Sequence, residues 1–225
     1  MSRPDFTHDA SRRQFHRFVL ASLAASALPA AFAGTAGTDW QAISPPQKGD
    51  DPGRIEVLEF FSWGCPHCRD FNPLVSRWAG KLPKDVAFRR VPVTFGRAAW
   101  ENLSRLFYAL EIMGELKRLD EAVFSAIHDH HIDLYTEAGT QTWVRQQGLD
   151  ARRFGDAFHD FSTETRMARA EQLINAYDVK SVPMLAVAGR YKLIAQGPSG
   201  HAGMLASADE LIAKVRKERP KAVKR

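Results

Sequence analysis

Residues 55–68 read IEVLEFFSWGCPHC, and this stretch decides the fold class. Its first seven residues form a nearly continuous apolar run, which is typical of a β-strand covered on both faces. Cys65 and Cys68 follow directly, and they are the two cysteines of the 225-residue chain. A helix that begins near Cys65 would place both sulfurs in its first turn, where unpaired N–H groups and the helix dipole favour a thiolate. The stretch therefore predicts reversible thiol chemistry at a strand-to-helix junction.

Two other roles for the cysteine pair are weaker. Structural zinc needs four ligands, usually from two such pairs, and the sequence has one pair. A purely structural disulfide would close a four-residue loop and so remove little entropy from the unfolded chain. Three histidines lie between His128 and His131, but with the aspartates around them they are more typical of a polar helix end than of a metal site. We therefore expect no metal, and no cofactor besides a redox-active Cys65–Cys68 disulfide.

The first 33 residues have the composition of an export signal. Arg12 and Arg13 precede an apolar segment at residues 18–28, and residues 31–33 form a small-x-small cleavage pattern. The apolar segment is shorter than the ~20 residues that span a bilayer, which argues against an uncleaved anchor. The paired arginines favour a twin-arginine signal, with Sec export as the alternative. We expect the signal to be removed and the protein to act in the periplasm, where a disulfide catalyst finds an oxidising context.

The charge of the chain does not indicate a nucleic-acid partner. The full sequence carries a formal charge of +5, and removal of residues 1–33 leaves 27 basic and 24 acidic residues, or +3. The basic excess gathers in residues 214–225, which read as a solvated helix end. Because basic residues are not interleaved with aromatic ones in a binding motif, we expect no nucleic-acid binding.

Composition divides the rest of the chain into successive segments. Residues 34–53 are rich in Gly, Pro, Asp and Thr and predict an irregular lead-in. A strand over 54–61, a helix from Cys65 to about 81 and a strand over 86–93 make a βαβ unit, with Pro73 expected to kink or break the helix. These elements predict an α/β fold.

A helical block and a hairpin follow the βαβ unit. Helical periodicity covers residues 98–177, with helices expected near 142–147, after an Asp150 cap over 151–161, and over 163–177. Strands at 184–188 and 191–195 flank a Gly189-Arg190 turn, and Ser207 to Glu210 read as a capping box that opens a last helix. The sequence therefore predicts two separated parts of one domain, residues 54–97 and 178–225, with a helical insertion at 98–177.

This order of elements resembles the DsbA family of thiol:disulfide oxidoreductases. The resemblance rests on CPHC at residues 65–68 behind Leu58-Glu59-Phe60-Phe61, and on Ser181-Val182-Pro183 ahead of the hairpin. It implies a thioredoxin fold, in which flanking helices cover a central mixed sheet and an all-helical domain is inserted.

The resemblance also implies distinct roles within the CPHC motif. Cys65 corresponds to the exposed nucleophile, and Cys68, one helical turn inward, to the resolving thiol. Pro66 suits the first turn of a helix because the N–H it lacks has no partner there. His67 can supply a positive charge or a hydrogen bond to the thiolate, although it can also be an ordinary surface residue.

Further residues are implicated by the same resemblance. Pro183 aligns with the cis-proline of the family, and the backbone of Val182 would then meet the substrate. Glu59 takes the place of a buried acid that can exchange a proton with the inner cysteine. Arg90 stands where the family usually has lysine, and because arginine stays charged, Glu59 and Arg90 can instead form a structural, partly hydrated ion pair. Trp63 can line the substrate surface or pack on the domain.

The expected activity is oxidation of cysteine pairs in unfolded or partly folded exported proteins. By resemblance, a membrane quinone-linked thiol oxidase would recharge the protein, which we expect to be a monomer. A reductase is an alternative, because the reduction potential decides the direction of transfer. An isomerase is disfavoured because residues 34–53 are too few for the dimerisation domain that family isomerases usually carry. The alternative from a different class is a non-catalytic module that holds clients or binds a metal.

Overall fold

Five strands and seven helices occupy the part of the chain that this computed structural model describes, residues 40–194 and 200–219. The predicted export signal lies outside these residues. The strands are β1 Gln41–Ala42, β2 Ile55–Phe61, β3 Val86–Pro92, β4 Met184–Val187 and β5 Tyr191–Ile194. The helices are α1 Pro66–Ala79, α2 Ala98–Ile112, α3 Leu116–His128, α4 Glu137–Gln146, α5 Ala151–Phe158, α6 Phe161–Ala176 and α7 Gly200–Glu218.

The strands form one mixed sheet in the order β1-β5-β4-β2-β3. β2 pairs parallel with β3 and antiparallel with β4, and the other pairings are antiparallel. All seven residues of β2 are buried, which confirms the strand predicted from its continuous apolar run. The register places Glu59 opposite Arg90 on the neighbouring strand. The α/β thioredoxin-type arrangement that the sequence predicts is confirmed.

Two clusters of buried apolar residues cover the two faces of the sheet. One cluster joins Phe60 and Phe61 of β2 to α2 and α3 through residues such as Phe107 and Phe124. The other packs α1 and α7 against side chains of β2, β4 and β5, among them Val57 and Leu185. The strand that leads to the cysteines is therefore fixed by the helices on both faces.

Two helix boundaries differ from those that periodicity predicts, because capping side chains determine where the helices begin. α4 begins at Glu137, five residues before the predicted start, because the Thr136 side chain accepts a hydrogen bond from the Gly139 N–H. The helix expected over 151–161 ends at Phe158, since Asp160 caps the next helix by accepting from the Ser162 N–H. Five helices thus occupy the described stretch between β3 and β4.

Three local predictions were wrong. The lead-in is not wholly irregular, because β1 pairs with β5. α1 has no break at Pro73, since burial of Phe71 and Val75 on either side outweighs the lost backbone hydrogen bond; a kink there stays a prediction. Ser207 does not open a helix but lies buried inside α7, which begins at Gly200. In each case tertiary packing overrides a local signal.

The β4–β5 hairpin turns one residue earlier than predicted. The Arg190 N–H donates to the Val187 carbonyl, so the central turn residues are Ala188 and Gly189, both with positive φ. A Cβ at position 189 would lie 2.0 Å from the Gln47 carbonyl oxygen, which is too close for any side chain. Glycine is therefore required there both by conformation and by contact.

The helices have the lengths that are usual in globular proteins. Within the described residues, no helix is both long enough and apolar enough to cross a bilayer.

Candidate active site

The two cysteines lie where β2 passes into α1. Cys65 is the residue before the first helical position, in extended conformation, and Pro66 opens the helix as predicted. The Cys65 N–H donates to the Ser62 carbonyl (3.1 Å), and the Gly64 N–H donates to Ser62 Oγ (3.2 Å). Ser62 therefore holds the turn that presents the first cysteine at the helix N-terminus.

Both cysteines are free thiols, so the structure represents the reduced chain. Cys68 is fully buried, and Cys65 is only 7% exposed. The expectation of an exposed Cys65 is wrong for this form. The Cys65 sulfur faces the loop ahead of β4 and lies 3.5 Å from the Val182 carbonyl oxygen, which covers it and to which the protonated thiol can donate. Cys65 is nonetheless the more accessible of the two sulfurs.

The environment splits the pKa values of the two thiols. A hydrogen bond from the Cys68 thiol lowers the pKa of Cys65 to about 6, with further lowering by the N–H groups of Cys68 and His67 and by the His67 charge. Burial raises the pKa of Cys68 well above its ordinary value, and the bond to Cys65 adds to this effect. At pH 7 the pair therefore consists of a thiolate at Cys65 and a thiol at Cys68.

The loop before β4 completes the sulfur site. The Val182–Pro183 peptide bond is cis, which confirms the isomer expected of Pro183. Pro183 is buried, and the Val182 carbonyl is the group that contacts Cys65. The structure thus brings Val182, Pro183 and the two cysteines together. His67 and Pro66 lie exposed on the first turn of α1.

Glu59 lies on β2 beneath this site and is fully buried. Arg90 on β3 donates from Nε to Glu59 Oε2 at 2.7 Å, and its side chain is 13% exposed. The Glu59–Arg90 ion pair expected from the sequence is present, and Arg90 also stacks on the Phe61 ring with 3.7 Å between the guanidinium carbon and the centroid. Burial raises the pKa of Glu59, against the opposing charge of Arg90.

Asp120 is the member of this cluster that the sequence did not identify. Arg90 donates from Nη1 to Asp120 Oδ1 at 2.6 Å, and the Trp63 indole N–H donates to the same oxygen at 2.9 Å. Its position in the sequence could have indicated this role, because Asp120 lies three and four residues before Val123 and Phe124 and therefore on the apolar side of α3. An acid at that spacing requires a buried partner.

Trp63 packs inside the protein and does not line its surface. It is buried, and its ring lies 6.0 Å from that of Phe61 and 5.6 Å from that of Phe107, measured between centroids. Its carbonyl oxygen is 2.7 Å from His128 Nε2. His128 therefore belongs to the support of the active-site turn. Across residues 40–194 and 200–219, no three His, Cys, Asp or Glu side chains are arranged to hold a metal ion.

Aromatic side chains of the helical block border the turn on its other side. A Cβ added at Gly64 would lie 2.8 Å from Trp100 Nε1 and 3.2 Å from the Tyr135 ring. Neither Trp100 nor Tyr135 was singled out from the sequence. The residue before Cys65 is therefore small because these two rings approach the backbone.

Comparison with known proteins agrees with this geometry. A family profile for the DSBA-like thioredoxin domain matches residues 56–203. The thiol:disulfide interchange protein DsbA of Bordetella parapertussis is 39% identical over 177 residues, which cover 78% of this chain and 83% of that protein. The protein of the same name from Azotobacter vinelandii is 40% identical over 161 residues, covering 72% and 75% of the two chains.

Solved structures give the same result. The crystal structure of Pseudomonas aeruginosa DsbA superposes with a TM-score of 0.78 at 37% sequence identity, over 82% of this chain and 95% of that chain. The profile match, the sequence identity and the superposition all cover most of the chain, including both halves of the sheet. The chain therefore belongs to the DsbA family.

Proposed function

We propose that the protein is a thiol:disulfide oxidoreductase that oxidises cysteine pairs of exported proteins by dithiol–disulfide exchange. The observation that carries the proposal is the unequal pair of thiols at the start of α1, with Cys65 ionised at neutral pH and Cys68 buried and protonated. The names of the relatives from Bordetella parapertussis and Azotobacter vinelandii, both thiol:disulfide interchange proteins, support it.

The exchange proceeds in two displacements. A substrate thiolate attacks Sγ of Cys65 in the oxidised enzyme, so that the Cys65–Cys68 bond breaks, a mixed disulfide forms and Cys68 leaves with the electron pair. A second substrate thiolate then attacks the substrate sulfur of the mixed disulfide, and Cys65 leaves as a thiolate. The substrate loses two electrons and gains a disulfide, while the enzyme becomes a dithiol.

The surrounding groups serve these two steps. His67 and the N–H groups at the start of α1 stabilise the Cys65 thiolate as a leaving group. The leaving Cys68 sulfur is buried and needs a proton, and Glu59 is a buried acid whose charge acts on Cys68. On this proposal Glu59 supplies that proton, and the Val182 carbonyl and Pro183 position the substrate against Cys65.

The ionised Cys65 also favours oxidation of substrates over their reduction. At pH 7, one unit above its pKa of about 6, the thiolate outnumbers the thiol by about tenfold. This ionisation stabilises the reduced enzyme, because the oxidised enzyme has no thiolate to stabilise. A stabilised reduced form makes the disulfide easier to transfer to a substrate.

The proposal is tested by the reduction potential of the Cys65–Cys68 pair, measured in glutathione buffers. We expect a value near the ~ −120 mV of strong oxidants of this class, and a value near the ~ −270 mV of thioredoxin would make the protein a reductase. The potential should fall by about 59 mV per pH unit below the Cys65 pKa of about 6, where two protons accompany two electrons. Above that pH the slope should fall to about 30 mV, because Cys65 then takes up no proton.

We propose that residues 1–33 export the protein to the periplasm by the twin-arginine route and are then removed. The arginine pair ahead of an apolar segment and the small-residue pattern at 31–33 support this. The double substitution Arg12→Lys, Arg13→Lys is expected to leave the protein uncleaved in the cytoplasm, as judged by cell fractionation. Unchanged export of this variant would assign the Sec route.

The partners follow from the same proposal. Unfolded or partly folded exported proteins would be the substrates, and a membrane quinone-linked thiol oxidase would restore the disulfide. The protein would act as a monomer. Sedimentation of the mature chain tests this, and a dimer or larger species would contradict it. Reoxidation by membranes should cease when their quinone is removed.

A further inference from the structure

The guanidinium of Arg90 binds two carboxylates, those of Glu59 and Asp120. Arg90 donates from Nε to Glu59 and from Nη1 to Asp120, at 2.7 Å and 2.6 Å. With both acids ionised, this cluster would carry one net negative charge in a part of the protein that excludes most water. Because an uncompensated buried charge is costly, the cluster is expected to hold a proton on one of its two acids.

The geometry indicates which acid holds that proton. Asp120 retains 15% exposure, and its Oδ1 accepts from both Arg90 and the Trp63 indole. Glu59 is fully buried and receives one hydrogen bond, from Arg90. Among the described side chains none bonds to its second oxygen, Oε1. A fully buried carboxyl with one hydrogen bond is the costlier of the two to ionise, so the proton resides on Glu59.

We propose that Asp120 is a positioning residue of the thiol-exchange site: by taking half of the Arg90 guanidinium, it keeps Glu59, whose charge acts on Cys68, in the protonated form. The inference rests on the proposed function and adds to it the residue that controls the proton donor. Asp120 acts on Glu59, by sharing Arg90 and by its own negative charge, and through Glu59 on the cysteines.

The groups that face Glu59 come from three elements. Arg90 of β3 favours its ionised form, Asp120 of α3 opposes ionisation, and Cys68 of α1 is the thiol on which the Glu59 charge acts. Without the Asp120 charge, Arg90 would pair with Glu59 alone and Glu59 would ionise at lower pH. The site would then lack the proton that the leaving Cys68 sulfur requires, and a new negative charge would oppose the Cys68 thiolate.

The test compares Asp120→Asn with the natural chain. Asparagine keeps the shape of the side chain and an oxygen for the Trp63 indole but removes the charge. The protonated carboxyl of Glu59 can be followed by infrared spectroscopy through its C=O stretch, assigned by its loss in Glu59→Gln. We expect the titration midpoint of that band to fall by about one unit in Asp120→Asn, and the single-turnover oxidation of a reduced model peptide at pH 7 to slow by about tenfold.

Glu121→Gln is the matched control, since it removes the same charge one residue further along α3 from an exposed position. It should change neither the infrared midpoint nor the exchange rate. An unchanged midpoint in a folded Asp120→Asn protein, as shown by its circular dichroism, would overturn the inference. So would an equal shift in Glu121→Gln.

A double substitution covers the case in which Asp120→Asn perturbs the fold. If Asp120 acts through Glu59, then Asp120→Asn should slow exchange no further in a Glu59→Gln background. A full additional loss in that background would reject the inference. Failure of the proposed function would appear differently, as absence of peptide oxidation by the natural chain while the Glu59 titration and its response to Asp120→Asn persist.

Discussion

Cys65→Ser is expected to abolish disulfide transfer to reduced peptides. The hydroxyl that replaces the thiol is not ionised near neutral pH and cannot form the mixed disulfide, so transfer should fall by at least about a thousandfold, which is the scale found when a nucleophile is removed. Stopped-flow oxidation of a peptide with two cysteines, followed by mass, measures the loss. Cys68→Ser should also lose transfer to reduced peptides, because it has no disulfide to give. It differs from Cys65→Ser with a disulfide-bonded peptide: its Cys65 thiolate can attack that disulfide, and the mixed disulfide then persists because no second enzyme thiol displaces the peptide.

This pair of variants also separates an enzyme from a module that only holds clients. Cys65→Ser changes one buried sulfur to oxygen, so binding of an unfolded, cysteine-free client should stay close to that of the natural chain. A protein whose only activity is client holding would show no difference between Cys65→Ser, Cys68→Ser and the natural chain in any of these assays. Retention of peptide oxidation by Cys65→Ser would contradict the assignment of the nucleophile.

Arg90→Met is expected to lower the free energy of unfolding by about 3–5 kcal/mol, the usual cost of removing one partner from a buried ion pair. The substitution leaves Glu59 and Asp120 without their shared cation in a buried position. Without the Arg90 charge, which lowers the pKa of Glu59, that buried acid would hold its proton still more strongly in the folded state than in the unfolded state. The loss should therefore grow as the pH rises from 5 to 8, and urea unfolding of the oxidised protein at both pH values measures it.

Arg69→Met is the control for this stability loss. Arg69 pairs with Asp129, but both side chains are largely exposed, so the loss should stay within about 1 kcal/mol. Adding Glu59→Gln and Asp120→Asn to Arg90→Met should recover much of the lost stability, since no buried charge remains. A loss in Arg90→Met no larger than in Arg69→Met would mean that the buried cluster contributes nothing beyond a surface pair.

The central elements were predictable from the sequence because their patterns are local. A strand buried on both faces is apolar throughout, and β2 is such a strand. The CPHC motif and Pro66 mark the beginning of α1, and the residues before Pro183 mark the loop that meets Cys65. Each of these signals occupies a few consecutive residues. Periodicity and composition suffice for the strand and the start of the helix, whereas the roles of Val182 and Pro183 came from the resemblance to the DsbA family.

The missing parts of the site depend on contacts between distant segments. Asp120 meets Trp63 and Arg90 only when α3 packs on the sheet, and nothing within α3 shows which partner its carboxylate has. The low exposure of Cys65 likewise depends on a carbonyl from the loop before β4. The capping-box pattern at Ser207 does not begin a helix, because Ser207 packs inside α7, which is one long helix that begins earlier. Such outcomes follow from tertiary packing, which a local pattern does not encode.

The short strand β1 gives the sheet a property that matters for a protein of this family. Gln41 and Ala42 pair with β5, and the Ile43 and Gln47 N–H groups donate to the carbonyls of Arg190 and Gly189. This pairing occupies hydrogen-bonding groups that would otherwise stand open along the outer side of the hairpin. An open ladder of that kind recruits extended chains indiscriminately, and unfolded polypeptides are extended chains. By covering β5 with a strand of only two residues, the protein leaves a very short edge at this border of the sheet, and a short edge offers an extended chain few groups to pair with.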